Sequence, residues 1–336
     1  EGIFSTERNS QNTTVTLGSQ VKTIPEFTFS KLPVNSIVIP GTVAAIDNDA
    51  FTTCTKLTSV TIEAGDEPLT IGYNTPGNDD GPFIDCPLTT VVVNRDINYT
   101  FPTGDLDTPD EGIFGGKSSL VNVTIGDDVS TLTPYMFANS AITGIDLKNV
   151  TTIGKGTFEG ASSLASLNIP ASVTSIDNFA FKNCSSLATV NILAGSEDLT
   201  IGYQPEETNQ RGPFYQSPLS YIKMDRNIRM STNYADNCDQ SDEGIFSNEY
   251  YNDDLAWTTR LVIGNNVTTF PKYMFAQTRV QQLHIPESVN NIGLKVIEDN
   301  ELINAIVFYN TEVRPTLVFD AFGEVTTSVG GIVISG

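Results

Sequence analysis

Two clusters of acidic residues in this chain have the composition of a metal site. The first contains Asp105, Asp107, Asp110 and Glu111, and its counterpart contains Asp236, Asp239, Asp242 and Glu243. Both clusters run into the tetrapeptide EGIF, which also occurs at residues 1–4. Flexible loops rich in carboxylate oxygens suit Ca2+, although neither cluster has the ligand spacing of a helix-loop-helix calcium site. Two interpretations stay open for these residues, a weak calcium site and loop acids that are simply hydrated.

Residue types that support catalysis are sparse. The one histidine, His284, is predicted to lie on the outer face of a strand beside Gln282, which is a poor setting for a general base. The sequence has no G-x-S-x-G elbow, no H-E-x-x-H pair and no glycine-rich phosphate loop. A glycosidase would need two carboxyl groups facing each other across a cleft, whereas acids in hydrophilic insertions are usually hydrated. We therefore predict that the protein is not an enzyme.

The charge balance limits the partners of the protein. Among 336 residues, 40 are acidic and 18 are basic, for a net charge of −22. Such a surface repels phosphate backbones and anionic lipid headgroups, so nucleic-acid binding is not expected. No stretch approaches the roughly 18 consecutive apolar residues of a membrane-spanning helix, so no transmembrane segment is predicted. Because the sequence begins at Glu1 without a methionine, we expect a processed product that has lost a secretion or lipoprotein signal.

The elements that must position these residues come from an internal repeat. Residues 51–73 match residues 181–203, and residues 81–97 match residues 212–228. Within this duplication a shorter pattern, apolar-x-x-apolar-x-apolar, recurs in segments such as LTSVTI and LASLNI. Its central residues lie 22 to 39 positions apart and are Val15, Ile37, Val60, Val91, Val123, Ile145, Leu167, Val190, Ile222, Leu261, Leu283, Ala305 and Ile332. The alternation and the β-branched residues predict a short strand in each copy.

The residue after each central position is predicted to point outward from the sheet. This outward column is mostly small and neutral, and it includes Lys223, His284, Ile306 and Val333. Because successive side chains of a strand alternate between faces, the apolar neighbours of these residues are predicted to form the core. The negative charge is therefore expected in the loops rather than on the sheet.

A second column of aromatic residues supports the same repeat unit. A phenylalanine stands eight or nine residues before most central positions, at Phe29, Phe51, Phe83, Phe114, Phe137, Phe158, Phe181, Phe214 and Phe275. Ile297 takes this place once, and Phe4, Phe246 and Phe322 occupy it at longer spacings. Burial of one phenylalanine contributes roughly 1.5–3 kcal/mol, so a stacked column of them is predicted to dominate stability. EGIF is then a structural motif whose phenylalanine belongs to the core.

The best copies of the unit resemble the BspA-type leucine-rich repeat family. These copies are IPGTVAAIDNDAFTTCTKLTSVTI at residues 39–62 and IPASVTSIDNFAFKNCSSLATVNI at residues 169–192, and the resemblance extends from about Phe4 to Ile334. It implies a right-handed, mainly β repeat solenoid with short helical or extended turns and one parallel β-sheet. With about 13 rungs, a single solenoid is expected over 1–336, in super-repeats 1–110, 111–242 and 243–336, with a divergent end over 310–336. It also implies a cell-surface or secreted location, mostly bacterial, a role in adhesion or protein binding, and no shared catalytic residues.

Three cysteines occupy one position of this unit. Cys54, Cys86 and Cys184 each stand three residues after a phenylalanine of the column, where the family has a buried small residue. A free thiol fits such a position. Cys54 and Cys86 belong to consecutive turns, so their Cα atoms are also expected within reach of a disulfide. A stacked pair of reduced thiols and a disulfide therefore both stay open.

The predicted function is binding of a macromolecule, most simply a protein, through the sheet face or the long loops. The insertions fall at 74–81, 98–110, 204–211, 229–242 and 247–256, between a strand and the next phenylalanine of the column. Repeat proteins often bind through insertions on one face. The predicted ligand contacts are Tyr73, Tyr203, Tyr221, Tyr250, Tyr251 and Trp257, with Lys223 and His284 on the sheet. The alternatives are aromatics that only pack down their own loops, a carbohydrate-binding module, and a structural spacer with no dedicated ligand.

Overall fold

The computed structural model describes two compact units, Glu1–Ser163 and Leu164–Gly336. Its described residues are 14–72, 81–99, 112–202, 212–231, 244–247, 258–309, 316–317, 321–322 and 333–335. Within these ranges the regular elements are all β-strands, which are numbered here in chain order. Neighbouring strands pair in parallel, as the repeat predicted.

In the first unit the predicted strands form a four-stranded parallel sheet. Its members are β2 (Ser36–Ile39), β4 (Ser59–Ile62), β6 (Thr90–Val93) and β8 (Asn122–Ile125), paired in that order. Ile37, Val60 and Val91 face one another in register, one from each consecutive turn. These residues are buried, whereas their sequence neighbours on the strand point outward, because a strand presents alternate residues to opposite faces.

Each turn also carries a second, shorter strand, which corrects the prediction of one sheet. In the first unit these are β1 (Thr23–Ile24), β3 (Ala45–Ile46), β5 (Leu69–Ile71), β7 (Ile97–Tyr99), β9 (Thr131–Leu132) and β10 (Thr152–Ile153). The first four pair in sequence as a parallel sheet, and β9 pairs with β10. Each of these strands buries an isoleucine or leucine from the part of the repeat that precedes the phenylalanine. Exposed and buried residues therefore alternate in this part of the repeat as well, but over only two or three residues.

The second unit repeats both strand columns. Its longer strands are β11 (Ser166–Ile169), β13 (Thr189–Ile192), β15 (Tyr221–Met224) and β17 (Arg260–Ile263), followed by a separate sheet of β19 (Gln282–Ile285), β21 (Ala305–Phe308) and β23 (Val333–Ser335). Its shorter strands are β12 (Ser175–Ile176), β14 (Leu199–Ile201), β16 (Ile228–Met230), β18 (Thr269–Phe270), β20 (Asn291–Ile292) and β22 (Thr316–Leu317). A strand therefore covers eleven of the thirteen predicted copies. Residues 14–18 and 142–147 are described without one, so the rung count stays a prediction.

The predicted register is wrong in the last two copies. Leu283 pairs with Ile306, which in turn pairs with Ile334, so the central residues are not Ala305 and Ile332. Ile306, predicted to point outward, is 1% exposed. The segment LINAIVF fits the apolar pattern in two frames, and the structure adopts the frame that buries an isoleucine instead of an alanine. Larger apolar burial decides the register.

The predicted column of phenylalanines is confirmed from Phe29 to Phe158 and from Phe181 to Phe275. Phe4 lies outside the described residues, and Phe322 packs edge to face against Phe308. In the first unit, successive ring centroids from Phe29 to Phe158 lie 5.1 to 5.8 Å apart, and the rings are within 24° of parallel. In the second unit, the rings from Phe181 to Phe275 are spaced 5.4 to 5.9 Å apart. Ile297, which replaces the aromatic once, is also fully buried. The column forms a continuous apolar core through each unit.

The segments that carry this column are turns rather than short helices. Around Phe51, the residues two positions before and after it, Asp49 and Thr53, have φ values of 57° and 59°. Left-handed residues at this spacing cannot belong to a right-handed helix. Instead, the N–H groups of Phe51 and Thr53 donate to the carbonyls of Pro82 and Ile84 in the next turn, each at 2.9 Å. The same pair of positions is left-handed around most of the other column residues.

The EGIF motif has the structural role that its spacing predicted. Ile113 and Phe114 are buried, and Phe114 stacks between Phe83 and Phe137. A side chain at Gly112 would collide with the backbone carbonyl of Tyr135, so this close approach of two turns requires glycine.

A buried arginine in each unit binds backbone carbonyls of earlier turns. Arg226 is 2% exposed, and its guanidinium donates to the carbonyls of Pro170, Ala171 and Val173 at 2.8 to 3.2 Å. Arg95, the equivalent residue of the first unit, makes the same kind of contacts and is 3% exposed. Burial lowers the pKa of both guanidinium groups. The sequence analysis missed this feature, although both arginines lie within the duplicated segments.

Candidate functional site

The longer-strand sheet of the second unit is interrupted between β17 and β19. Thr259 and Val280 form the last parallel bridge between these turns, and the two strands belong to separate sheets. Leu261 and Ile263 of β17 are consequently only half-buried, although inward residues of the paired strand β15 are fully buried. The two turns therefore part beyond Thr259 and leave an opening in the sheet.

This opening is a cleft of about 520 Å³. Arg260, Gln282, His284 and Tyr309 contribute polar groups to its lining. Leu261, Val262, Ile263 and Pro286 contribute apolar surface. A cleft with both kinds of lining suits a ligand that has an apolar part and a polar or charged part.

His284 joins the other polar groups of the cleft in a hydrogen-bond network. Its Nδ1 lies 2.8 Å from the Tyr309 hydroxyl, and its Nε2 lies 3.1 Å from Oε1 of Gln282. Because an amide oxygen only accepts, the neutral tautomer that fits both contacts has its proton on Nε2, and its Nδ1 accepts a hydrogen bond from the tyrosine hydroxyl. The imidazole also stacks on the Tyr309 ring, with the centroids 5.7 Å apart and the planes 24° apart. The network holds His284 in one orientation and leaves Tyr309 54% exposed.

The cationic side chains beside the cleft differ in their partners. Lys223 pairs with Asp225 at 2.6 Å, and this hydrogen bond raises the pKa of Lys223. Arg260 lies over the ring of Tyr221, with its guanidinium carbon 6.0 Å from the ring centroid. Among the residues that the structure describes, Arg260 has no carboxylate partner. Arg260 is exposed and lines the cleft.

These residues define an outer-face patch, which consists of Tyr221, Lys223, Arg260, Gln282, His284 and Tyr309. Tyr221 and Arg260 are paired across β15 and β17, and Lys223 is paired with Val262. The structure thus brings together three of the predicted contact residues, Tyr221, Lys223 and His284, and their role in binding stays a prediction. Sequence reasoning missed Arg260 and Tyr309. The outward position of Arg260, directly before the central Leu261, was the signal that could have found it.

The other predicted contacts and the predicted calcium ligands lie outside the described residues. These are Tyr73, Tyr203, Tyr250, Tyr251 and Trp257, and the acids Asp105, Asp107, Asp110, Glu111, Asp236, Asp239, Asp242 and Glu243. The calcium hypothesis and the loop contacts stay predictions.

Cys54 and Cys86 are buried free thiols in consecutive turns. The Cys54 thiol donates to the carbonyl of Phe29 at 3.0 Å, and the Cys86 thiol donates to the carbonyl of Phe51 at 3.1 Å. The contact with Cys54 and burial both raise the pKa of Cys86. Ser217 takes the place of Cys86 in the second unit, where its hydroxyl donates to the carbonyl of Phe181 at 2.7 Å.

Replacement of Cys86 by serine is therefore expected to cost less than about 1.5 kcal/mol of unfolding free energy, because serine keeps the volume and the donor. Urea denaturation of the variant and of the wild type measures this difference. Modification with a thiol reagent, located by mass spectrometry, is expected to spare Cys54 and Cys86 until the chain is unfolded. Rapid labelling of either thiol in the folded protein would contradict their burial.

Parallel strands that recur once per turn, with a stacked phenylalanine between them, define a protein of the leucine-rich-repeat class. The chain belongs to the BspA type leucine-rich repeat family, whose pattern matches six copies over residues 3–100, 79–204 and 247–321. The predicted resemblance is thereby confirmed. Comparison with curated proteins found no match. The described part of the chain holds no helix with the length and apolar character of a membrane span.

Several solved structures are similar to this chain. A leucine-rich repeat protein from Bacteroides ovatus has 18% sequence identity and a TM-score of 0.44, and the match covers 88% of this chain and 61% of that protein. A leucine rich cell surface protein from Faecalibacterium prausnitzii has 18% identity and a TM-score of 0.34, with 97% and 87% covered. The pneumococcal vaccine antigen PcpA has 13% identity and a TM-score of 0.31, with 95% and 78% covered. This chain therefore spans less than two thirds of the Bacteroides protein.

Proposed function

We propose that this protein is a non-enzymatic bacterial surface protein that binds a protein partner through the outer-face patch of its second unit. The main support for the proposal is that the two halves of the duplication differ in the outward residues of equivalent strands. At the outward positions of β6 the first unit has Thr90 and Val92, whereas the equivalent strand β15 has Tyr221 and Lys223. Large polar and aromatic side chains thus replace small neutral ones at positions that the core does not constrain.

The buried residues of the same strands show no such change of character. Val91 corresponds to Ile222, and Phe83 corresponds to Phe214, and all four are at most 1% exposed. A protein that served only as a spacer would need the buried residues to keep its fold. Large polar and aromatic side chains on the outer face would not contribute to that role. The difference therefore favours a binding role for the second unit.

The composition of the patch favours a protein as the partner. Tyrosine and arginine are enriched at the centres of protein interfaces, where they contribute much of the binding energy. Tyr221 lies under Arg260, and Tyr309 stacks on His284, so both rings are already held by neighbouring side chains. Rings that are ordered before binding lose less conformational entropy when the complex forms.

A surface location is supported by the family and by one similar protein of known structure. The Faecalibacterium protein is described as a cell surface protein. The net charge of −22 is compatible with an extracellular protein that stays soluble and does not adhere to phosphate-rich polymers.

The test of the proposal exchanges the outward residues of the two units. Tyr221→Thr with Lys223→Val gives β15 the outer face of β6, and Thr90→Tyr with Val92→Lys is the matched control on β6. Both double variants are expected to fold, because each strand already occurs with either set of outward residues. On arrays of purified extracellular proteins and of glycans, the wild type is expected to bind a protein, and the β15 variant is expected to bind it at least about tenfold more weakly.

The control variant is expected to bind like the wild type. Three results would contradict the proposal: no protein ligand, an affinity that the β15 variant retains, or ligands found only on the glycan array. The last of these would instead favour carbohydrate binding.

A further inference from the structure

We infer that the cleft between β17 and β19 binds an acidic side chain from an extended peptide segment of a protein partner. The inference rests on the proposed function and specifies the chemistry of the partner. Four features of the cleft support it: its charge, its apolar lining, the hydrogen bonds that its polar groups have already made, and its course along two strands.

The charge of the cleft is opposite to that of the protein. Its described lining residues are Thr258, Thr259, Arg260, Leu261, Val262, Ile263, Gln281, Gln282, His284, Pro286 and Tyr309, and among these are an arginine and no carboxylate. Because 40 residues of the chain are acidic, the described lining of the cleft is a distinct local environment: it contains no acid, and its arginine has no ion pair with any described residue. The guanidinium of Arg260 can donate two parallel hydrogen bonds to one carboxylate, a geometry that a lysine does not offer.

Two described acidic residues of this region, Asp225 and Glu287, are not ion-paired with Arg260. Asp225, which directly follows β15, pairs with Lys223. Glu287 lines a neighbouring depression together with Asn265, Pro286, Ser288 and Tyr309, and it is not part of the cleft lining. A carboxylate for Arg260 must therefore come from outside the described residues.

The remaining lining favours a peptide over a sugar acid. Leu261, Val262, Ile263 and Pro286 present apolar surface that an aliphatic side chain beside the acid can cover. A sugar would instead need several acceptors for its hydroxyl groups. Oε1 of Gln282 already accepts from His284, and none of the described lining residues is a carboxylate, the strongest acceptor for a sugar hydroxyl.

The shape of the cleft favours an extended segment. It is lined by consecutive residues 258–263 of one turn and by residues between 281 and 286 of the next, so it runs along both strands where they stop pairing. Alternate side chains of an extended peptide point to opposite sides, so one face can place an acid near Arg260 and an apolar residue near Leu261.

The experiment uses the full chain and three short peptides that alternate valine with glutamate, glutamine or lysine. Fluorescence anisotropy measures the binding of each labelled peptide to the wild type, to Arg260→Gln and to Arg229→Gln. Arg229 is an exposed arginine of the shorter strand β16, and it serves as the matched control for loss of one positive charge. The glutamate peptide is expected to bind the wild type at least about tenfold more tightly than the glutamine peptide does.

Arg260→Gln is expected to abolish this preference, and Arg229→Gln is expected to keep it. No binding of the glutamate peptide, equal binding of the glutamate and glutamine peptides, or a preference that survives in Arg260→Gln would overturn the inference. Binding of oligogalacturonate in place of the glutamate peptide would overturn it as well and would assign the cleft to an acidic sugar. If the arrays detect a protein ligand that Arg260→Gln binds like the wild type, the proposed function stands while this inference fails.

Discussion

Replacement of Phe51 by alanine is expected to lower the free energy of unfolding by about 3–5 kcal/mol. Phe51 is fully buried, and its ring lies between those of Phe29 and Phe83 at centroid distances of 5.1 and 5.3 Å. Alanine at this position would leave a cavity inside a close-packed column, and the neighbouring turns cannot close it without breaking the hydrogen bonds that join them. The size of the loss is measured by urea denaturation monitored by circular dichroism.

Two further variants show what the loss depends on. Phe27→Ala removes a phenylalanine that is 38% exposed, and it is expected to cost less than about 1 kcal/mol. Phe51→Leu fills most of the space and is expected to recover more than half of the loss caused by alanine. If leucine destabilised the protein as much as alanine does, ring stacking rather than filled volume would be the source of the stability.

The loss is also expected to be local in origin. In repeat proteins each turn contacts mainly its neighbours, so a cavity weakens adjacent turns first. Hydrogen exchange of the Phe51 and Thr53 amides, which bond to the next turn, is expected to accelerate before that of amides in the second unit. Equal acceleration throughout the chain would mean that the two units unfold as one cooperative body.

Replacement of Arg226 by methionine is expected to destabilise the protein by about 2–4 kcal/mol. The guanidinium donates to the carbonyls of Pro170, Ala171 and Val173, and methionine would fill the space without donating a hydrogen bond. The bond to Val173 is buried, and those to Pro170 and Ala171 are partly buried. A buried acceptor that loses its donor costs about 1–3 kcal/mol and a partly buried one costs less, and the sum is expected to exceed the gain from no longer burying the guanidinium charge. The free energy of unfolding from urea denaturation tests the prediction.

Controls for Arg226 are available within the chain. Arg229→Met removes an exposed arginine from the same segment and is expected to cost less than about 1 kcal/mol. Arg226→Lys keeps the charge but lacks the planar guanidinium, whose N–H groups point in several fixed directions. It is therefore expected to recover only part of the stability that methionine loses. Arg95→Met is expected to reproduce the effect in the first unit, because Arg95 contacts Pro40, Gly41 and Val43 in the equivalent way. A stable Arg226→Met protein would show that the carbonyls find other partners.

Much of the fold followed from the sequence because each feature recurs at a nearly constant spacing. The phenylalanine column and the longer strands were predictable, since a residue that returns once per turn must occupy the same environment in each turn. The shorter strands were missed because two residues are too few to show an alternating pattern. The register at Ala305 was predicted wrongly because both frames of LINAIVF satisfy the pattern, and only packing distinguishes them.

The candidate site was less predictable than the core. Lys223 and His284 were found from their outward positions, and Tyr221 was found from its place near the long insertions. Nothing local in the sequence indicates that β17 and β19 stop pairing beyond Thr259. The role of the buried Arg226 was hidden for the same reason. Its carbonyl partners lie more than 50 positions earlier in the chain.

The sequence by itself determined the repeat, the residues of the core and the family, because these depend on spacing and on apolar character, which are local properties. The tertiary structure decided which outward residues meet, where the sheet opens and which carbonyls a buried guanidinium binds. These depend on how successive turns are stacked, and residues that are neighbours between turns are far apart along the chain. Contacts between turns therefore define both the cleft at Arg260 and the partner chemistry that it fits.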